Sequence, residues 1–353
     1  MVEKMVSFVT YQSTGIEKLF TPSMYLISPV NNPNQFWSGA YFLTDGQEKI
    51  KEPIIKGCKN RTKYEFFSIR GAAGTGKSLL LYDIAKELSA EEKVCIIHCG
   101  MLSVGHYELN KLCGNFKIIA AKNVDGFDFT PYSYILIDEA HRIYKHQLKR
   151  IAEITKQRNM ACVFSSDSSQ VLSKREVRNN ISQVLANMKK EHQFSLKEKI
   201  RSNREMASFI KKMFNLNTPV QTTEFEHIDI VAAHDYDEAE VLINYYKERG
   251  YTYIPYTMSR YSGHEFDRFI GKGRNTHEVI GQEFDRVVMV IDDSFWYNEK
   301  GELVAIEHPN PDYLFKQLLF QGVTRSREML ALIIIENKSV FETLLKIVVG
   351  KVP

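Results

Sequence analysis

Short apolar runs alternate with amphipathic stretches along most of the chain. Four runs in the first half are each followed by a polar turn, as buried strands are: VCIIHCG (94–100), FKIIAA (116–121), YILIDEA (134–140) and ACVFSSD (161–167). The spacing of apolar residues predicts helices at 79–89 and 141–155. Strands that alternate with helices predict a parallel sheet that is covered by helices.

The same pattern restarts beyond residues 190–205. Four further runs are predicted as strands: HIDIVAA (227–233), YTYIPYT (251–257), RVVMVID (286–292) and LALIIIEN (330–337). One helix is predicted at 236–250, ended by Gly250, and another at 311–323, with Pro311 in its first turn. We therefore expect two α/β halves of similar architecture.

The composition narrows the class of protein. Of the 353 residues, 44% are hydrophobic and 25% are charged, which is typical of a soluble globular protein. No apolar run is long enough for a membrane span, and the N-terminus is too polar for a signal peptide. The net charge of +3 is too small to indicate nucleic-acid binding by itself.

The cysteines predict a reduced, cytoplasmic protein, because their number is odd and they lack paired CxxC spacing. By residue type alone, His98, Cys99 and His106 are candidate metal ligands. We expect them to be strand-end and loop residues instead, since no second ligand pair with zinc spacing follows.

The segment GAAGTGKS, from Gly71 to Ser78, is typical of a phosphate-binding loop. A predicted strand, FFSIR (66–70), precedes it and a predicted helix follows it, which is the context that such a loop requires. Lys77 would reach the β- and γ-phosphates and Ser78 would bind Mg²⁺, so ATP and Mg²⁺ are the expected cofactors. Small residues allow the backbone N–H groups to surround the phosphates: Gly71, Gly74, Thr75 and Gly76.

Two acids lie at the end of the predicted strand in ILIDEAHR (135–142). Asp138 would hold Mg²⁺ through its water shell, and Glu139 would orient and deprotonate the attacking water. Paired carboxylates also occur at the polar ends of ordinary strands. The phosphate loop that precedes them favours the catalytic interpretation.

With GxxxxGKS and DEAH in this order, the chain resembles helicase-type NTPases of superfamily 1 or 2, and its other motifs follow the superfamily 1 order. Five segments are similar to elements of that superfamily: LTDGQ (43–47) to LTxxQ, FSSDSSQ (164–170) to GDxxQ, SLKEKIRS (195–202) to LxxNYRS, THEVIGQEFD (276–285) to THxxQGLEFD, and VTRSRE (323–328) to VxxTRAR. Each segment alone is weak evidence. Their joint order supports the resemblance.

This resemblance implies roles for single residues. Gly281 and Glu283 would help to close the second half on the nucleotide. Two glutamines and two arginines would contact the nucleotide directly: Gln47 at the adenine, Gln170 and Arg201 at the γ-phosphate, and Arg325 as an arginine finger.

The implied fold is α/β, with two tandem RecA-like parallel-sheet domains and ATP bound in the cleft between them. The expected division is an N-terminal segment of unclear role (1–40), a first domain (41–192) and a second domain (193–353). Within superfamily 1, GAAGTGKS, the run at 94–106 and IGQEFDRVV are most similar to ATPases related to the helicase-like domain of Schlafen proteins.

The sequence departs from well-studied superfamily 1 helicases in two ways. It leaves little room for the large insertions that help to separate duplexes, and Val171 follows Gln170 where the family has a base-stacking aromatic residue. Tyr107, Tyr256 and Tyr261 could stack on bases or pack in the core, and basic runs such as 145–150 could follow phosphates or form solvated helix faces.

Three functions therefore stay open. The first is an ATPase that binds or moves along single-stranded DNA or RNA. The second is a nucleotide-driven switch that regulates a protein partner, such as a nuclease or toxin subunit of a defence system. A kinase-like phosphotransferase is disfavoured by the acid pair and the two distal arginines. No membrane partner is expected.

Overall fold

The computed structural model describes residues 27–60, 62–167, 172–187, 189, 192–197, 204–219, 225–257, 265–269, 271–306 and 313–350. Two groups of elements follow each other along the chain. We call the elements within 27–197 the first lobe and those within 204–350 the second lobe. No helix within the described ranges is long and apolar enough to cross a membrane.

Six parallel strands form the sheet of the first lobe, in the spatial order β3-β2-β4-β5-β1-β6. Alternate residues of each strand enter different cores: Ile96 packs on one face of the sheet, and Cys95 and Ile97 pack on the other. Burial on both faces explains the continuous apolar runs. The strands are β1 (Glu65–Gly71), β2 (Val94–His98), β3 (Phe116–Ala120), β4 (Tyr134–Asp138), β5 (Ala161–Ser166) and β6 (Gln193–Leu196).

Helices cover both faces of this sheet. Their bounds are α1 (Pro33–Ser38), α2 (Asp45–Lys59), α3 (Lys77–Ser89), α4 (Val104–Leu112), α5 (Lys145–Gln157), α6 (Lys174–Asn179) and α7 (Ile181–Ala186). Leu80 and Ile84 of α3 enter the core on one face, and Ile151 of α5 enters the core on the other. A 3-10 turn, Ala140–Arg142, lies between β4 and α5.

The second lobe contains a four-stranded parallel sheet in the order β7-β12-β9-β8, and a separate antiparallel hairpin of β10 and β11. Its strands are β7 (Ile228–Ala233), β8 (Thr252–Tyr253), β9 (Phe284–Ile291), β10 (Phe295–Tyr297), β11 (Leu303–Ala305) and β12 (Ser326–Ile335). Its helices are α8 (Arg204–Phe214), α9 (Tyr236–Glu248), α10 (Phe315–Val323) and α11 (Lys338–Val348). Two helix-covered parallel sheets in tandem confirm the predicted α/β fold class of two RecA-like domains.

Several elements differ from the sequence prediction. The strand Gln193–Leu196 pairs with β1 of the first sheet, whereas the expected division assigned residues from 193 onward to the second domain. The helix expected at 311–323 begins at Phe315, and Pro311, which was expected in its first turn, lies outside the described residues. The helix expected from 141 begins at Lys145, after the 3-10 turn. Gly250 has φ 80°, in agreement with its expected position after a helix.

The described part of the N-terminal segment belongs to the first lobe. Ile27, Val30 and Phe36 are buried in the same core as α3. Pro33 lies in the first turn of α1, where a backbone N–H has no partner within the helix, so the missing N–H of proline is tolerated. Residues 27–38 therefore extend the first lobe.

Candidate functional site

The loop from Gly71 to Ser78 connects the end of β1 to the beginning of α3. Gly74 and Gly76 have φ of 77° and 78°, a left-handed conformation that residues with a Cβ rarely adopt. A Cβ added to Gly71 would meet Thr75 Oγ1 at 2.4 Å, so the loop closes tightly on itself there. This backbone presents the N-terminus of α3, where free N–H groups and the helix dipole favour an anion.

Lys77 is folded into the loop. Its Nζ donates a hydrogen bond to the carbonyl oxygen of Ala72 at 2.9 Å and lies 3.7 Å from Asp167 Oδ2. Thr75 Oγ1 donates to the same carbonyl at 2.9 Å. The predicted phosphate-binding lysine thus already occupies the loop that would hold the phosphates.

Gln47 is buried beside the loop as part of a helix cap. Its Oε1 accepts a hydrogen bond from the backbone N–H of Thr44 at 2.9 Å, and the Thr44 hydroxyl accepts one from Gln47 N. Its Nε2 donates to the carbonyl oxygen of Gly76 at 3.2 Å. Contact between Gln47 and adenine stays a prediction, but the side chain does connect α2 to the loop.

Asp138 lies at the end of β4 and faces the beginning of α3. Its Oδ1 accepts hydrogen bonds from Ser78 Oγ at 3.1 Å and from Ser165 Oγ at 2.6 Å. His98 Nδ1 lies 3.2 Å from Oδ2. Burial raises the pKa of Asp138, but the hydrogen bond and charge of His98, followed by the bonds from Ser165 and Ser78, lower it below the usual value.

The donor atoms of Asp138 and Ser78 fit magnesium. Mg²⁺ prefers hard oxygen ligands and is commonly held by one or two carboxylates together with phosphate oxygens and water. Within the described ranges, no group of three or more His, Cys, Asp or Glu residues could hold a metal ion by itself. Asp138 and Ser78 supply two oxygen donors, which could be part of an Mg²⁺ site that phosphate oxygens and water complete.

Glu139 follows Asp138 in a left-handed conformation, with φ 56°. This conformation is uncommon outside glycine and often marks a functional site. The side chain is buried; its Oε2 lies 3.6 Å from His141 Nε2 and 3.9 Å from Arg142 Nε. Burial, and then the charge of Asp138, raise the pKa of Glu139, whereas Arg142, Lys77 and Arg325 act in the opposite direction.

A buried polar network supports these groups, and sequence reasoning did not assign roles to its members. His141 Nδ1 accepts a hydrogen bond from the backbone N–H of Asp167 at 3.2 Å. Arg142 Nη1 lies 3.4 Å from Glu176 Oε1. His141 and Arg142 directly follow the acid pair in the sequence, but their partners are far away along the chain.

The second lobe contributes Gly281, Glu283 and Arg325. Arg325 is buried, and its guanidinium donates to the carbonyl oxygens of Gln282 and Gln321, both at 3.2 Å. Burial lowers the pKa of Arg325, while the charges of Glu139 and Glu283 raise it. Gly281 has φ 75°, which suits glycine.

Residues of both lobes line one small cavity of about 30 Å³. Such a volume is far below the roughly 300–1,000 Å³ of small-molecule sites, so a nucleotide would fit only after movement of side chains or lobes. The cavity is lined by Ala73, Gly74, Gly76, Lys77, Ser78, Glu139, Gly281, Glu283 and Arg325. Two other predicted contacts, Gln170 and Arg201, lie outside the described residues.

A family model described as Schlafen group 3, DNA/RNA helicase domain, matches residues 64–253, more than half of the chain. The chain belongs to this family. Membership confirms the predicted resemblance to the helicase-like domain of Schlafen proteins. The match of this Schlafen-family chain includes the phosphate loop and the acid pair, whereas Gly281, Glu283 and Arg325 lie beyond it.

No curated protein matches this Schlafen-family chain. A solved structure from a study of DNA unwinding at forked dsDNA by two coordinating Pif1 helicases is similar over 82% of this chain and 92% of that chain, with 12% sequence identity and a TM-score of 0.45.

Proposed function

We propose that this chain hydrolyses ATP with Mg²⁺ between its two lobes and couples hydrolysis to binding or movement on single-stranded nucleic acid. One observation supports the proposed ATP hydrolysis: Lys77 and Glu139 of the first lobe line the same cavity as Arg325 of the second. A phosphate-binding cation, a buried carboxylate and an arginine from the facing lobe are the groups that phosphoryl transfer to water requires.

Each side chain has a chemical role in this proposal. The loop N–H groups and Lys77 bind the phosphates, and Ser78 with Asp138 holds Mg²⁺, which neutralises phosphate charge when bound. Glu139 accepts the proton of the attacking water. Arg325 stabilises the negative charge that develops on the transferred phosphoryl group. The lobes thus share one active site, and their closure depends on the γ-phosphate.

The nucleic-acid part is supported by the family description, which names a DNA/RNA helicase domain. It is also supported by exposed apolar side chains that follow the carboxyl end of β2. Met101, Val104 and Tyr107 are 51%, 64% and 55% exposed there. Aromatic and apolar side chains of this kind can stack on the bases of single strands. By contrast, Tyr256 is buried and donates to the carbonyl oxygen of Val290.

The proposal is tested by ATP turnover of the full chain with Mg²⁺, alone and with saturating poly(dT), poly(U) or duplex DNA. We expect single strands to raise the rate several-fold, with Glu139→Gln protein as the background. The absence of turnover in every condition would contradict the proposed ATPase activity. A turnover rate that no nucleic acid changes would contradict the proposed coupling to nucleic acid.

A regulatory switch is the second candidate, and the compact first lobe favours it. Between β2 and β4 the chain forms only α4, β3 and a 3-10 turn at Ala121–Gly126, without a further domain. Such a lobe can close on ATP without gripping a duplex. Purification from the native host should then recover a stoichiometric protein partner, and ATP turnover should depend on that partner instead of nucleic acid.

A further inference from the structure

His98 and Asp138 are brought together by strand register. They are the last residues of neighbouring parallel strands β2 and β4 and are paired directly. Residues at the same level of neighbouring strands point to the same face of the sheet, and this face also carries α3 with Ser78. The two side chains are only 1% and 2% exposed, with Nδ1 and Oδ2 3.2 Å apart.

The other edge of the His98 ring faces the second lobe. A Cβ added to Gly281 would lie 3.0 Å from His98 Cε1, and one added to Gly100 would lie 2.7 Å from His98 Nε2. Both glycines therefore leave room for the ring. In the part of the chain that the structure describes, the buried Nε2 has no hydrogen-bond partner. The ring thus fills the space between the Asp138 carboxylate and the backbone of the other lobe.

His106 supports the ring from the side. The centroids of the two imidazoles are 4.5 Å apart, and His106 is fully buried. Its Nδ1 accepts a hydrogen bond from the backbone N–H of Ser103 at 2.9 Å, which fixes its orientation at the beginning of α4. Burial and then the neighbouring His98 lower the pKa of His106, so it packs as a neutral ring.

We propose that His98 is a positioning residue: it orients the Asp138 carboxylate for Mg²⁺ and links that orientation to the Gly281 segment of the second lobe. The proposal rests on the function proposed above. Groups that hydrogen-bond a metal-binding carboxylate fix its geometry, and their replacement typically lowers metal affinity about 10- to 100-fold. If Gly281 moved against the ring, the displacement would be transmitted to Asp138 through the side chain of His98.

Two amide substitutions separate the two contacts of His98. In His98→Asn, the amide nitrogen takes the place of Nδ1 and keeps the donor to Asp138, but the edge toward Gly281 is lost. In His98→Gln, the amide nitrogen takes the place of Nε2, so the donor to Asp138 is lost. Both side chains are polar and smaller than or similar to histidine, which makes them matched controls for one another.

The first measurement is the Mg²⁺ concentration that half-saturates binding of a fluorescent ADP analogue, which requires no turnover. We expect His98→Gln to need about tenfold more Mg²⁺ and His98→Asn to stay within about threefold of the wild type. The second measurement is steady-state ATP hydrolysis. We expect His98→Asn to lower kcat about tenfold with KM for ATP unchanged, because the position of the second lobe no longer influences the orientation of Asp138.

A merely structural role would lower the melting temperature of both variants and leave the Mg²⁺ requirement unchanged, and this result would overturn the proposal. Wild-type kcat in His98→Asn would overturn the link to the second lobe. If the unmodified chain neither bound the ADP analogue nor hydrolysed ATP, the proposed function itself would fail. Wild-type binding and hydrolysis with indistinguishable variants would reject the role of His98 alone.

Discussion

At the scale of single residues, Glu139 has the features that the proposed catalytic role requires. It is buried, its backbone is left-handed, and its carboxylate lies within 4 Å of His141 and Arg142. The burial of a carboxyl group and the left-handed backbone both cost stability in a residue that served only packing. Their combination at the cavity supports a catalytic role.

Replacement of Glu139 by Gln tests that role. The amide keeps the shape of the side chain but cannot accept a proton from water, so we expect ATP binding within about threefold of the wild type and turnover lower by about 10²–10⁴-fold. Binding is measured with a fluorescent nucleotide and turnover by phosphate release. Glu153→Gln is the control, because Glu153 is exposed on α5 and pairs with Lys149 of the same helix. Equal turnover in the two variants would refute the assignment.

At this scale, the sequence predicted the residues that are contiguous in the chain. The loop at 71–78 and the pair Asp138–Glu139 carry their chemistry in a short segment with a clear context. Ser165 and His98 also contact Asp138, but only the pairing of β5 and β2 with β4 brings them there. Such partners cannot be read from spacing along the chain.

At the scale of elements, helix α4 packs closely against the backbone of the N-terminal segment. A Cβ added to Gly105 would lie 1.7 Å from the carbonyl oxygen of Val30. A backbone atom cannot rotate away as a flexible side chain can, so any larger residue must move α4 or the segment at 27–32. This contact joins the N-terminal segment to the helix that follows β2.

We therefore expect Gly105→Ala to lower the free energy of unfolding by about 1–3 kcal/mol, as overpacking does. Gly114→Ala is the matched control, since a Cβ there meets nothing within 4 Å, and its effect should stay within about 0.5 kcal/mol. Urea unfolding followed by circular dichroism measures both variants. Equal stability of the two would show that α4 and Val30 are not packed as described.

Buried strands were predicted from the sequence more accurately than exposed ones. Strands β2 to β5 were predicted closely because parallel strands with two covered faces are apolar throughout. The strand expected at 251–257 is limited to Thr252–Tyr253, since Pro255 cannot donate to the ladder. Strand β6 was missed because QFSL is short and half-exposed, and its pairing with β1 depends on the whole lobe.

At the scale of the whole molecule, the proposed active site needs residues of both lobes. The first lobe provides the phosphate loop and the acids, and the second provides an arginine that is held by the carbonyl oxygens of Gln282 and Gln321. If ATP draws these parts together, hydrolysis weakens their attraction, because the charge that Arg325 contacts is removed. We therefore expect hydrolysis to depend on residues of both lobes.

The most direct test is ATP hydrolysis by Arg325→Ala, measured together with ATP binding to the same protein. We predict binding within about threefold of the wild type and turnover lower by about 10³-fold or more, as for other arginine fingers. Arg327→Ala is the control, because Arg327 pairs with Asp285 and does not line the cavity. Wild-type turnover in Arg325→Ala would contradict an active site shared by the two lobes.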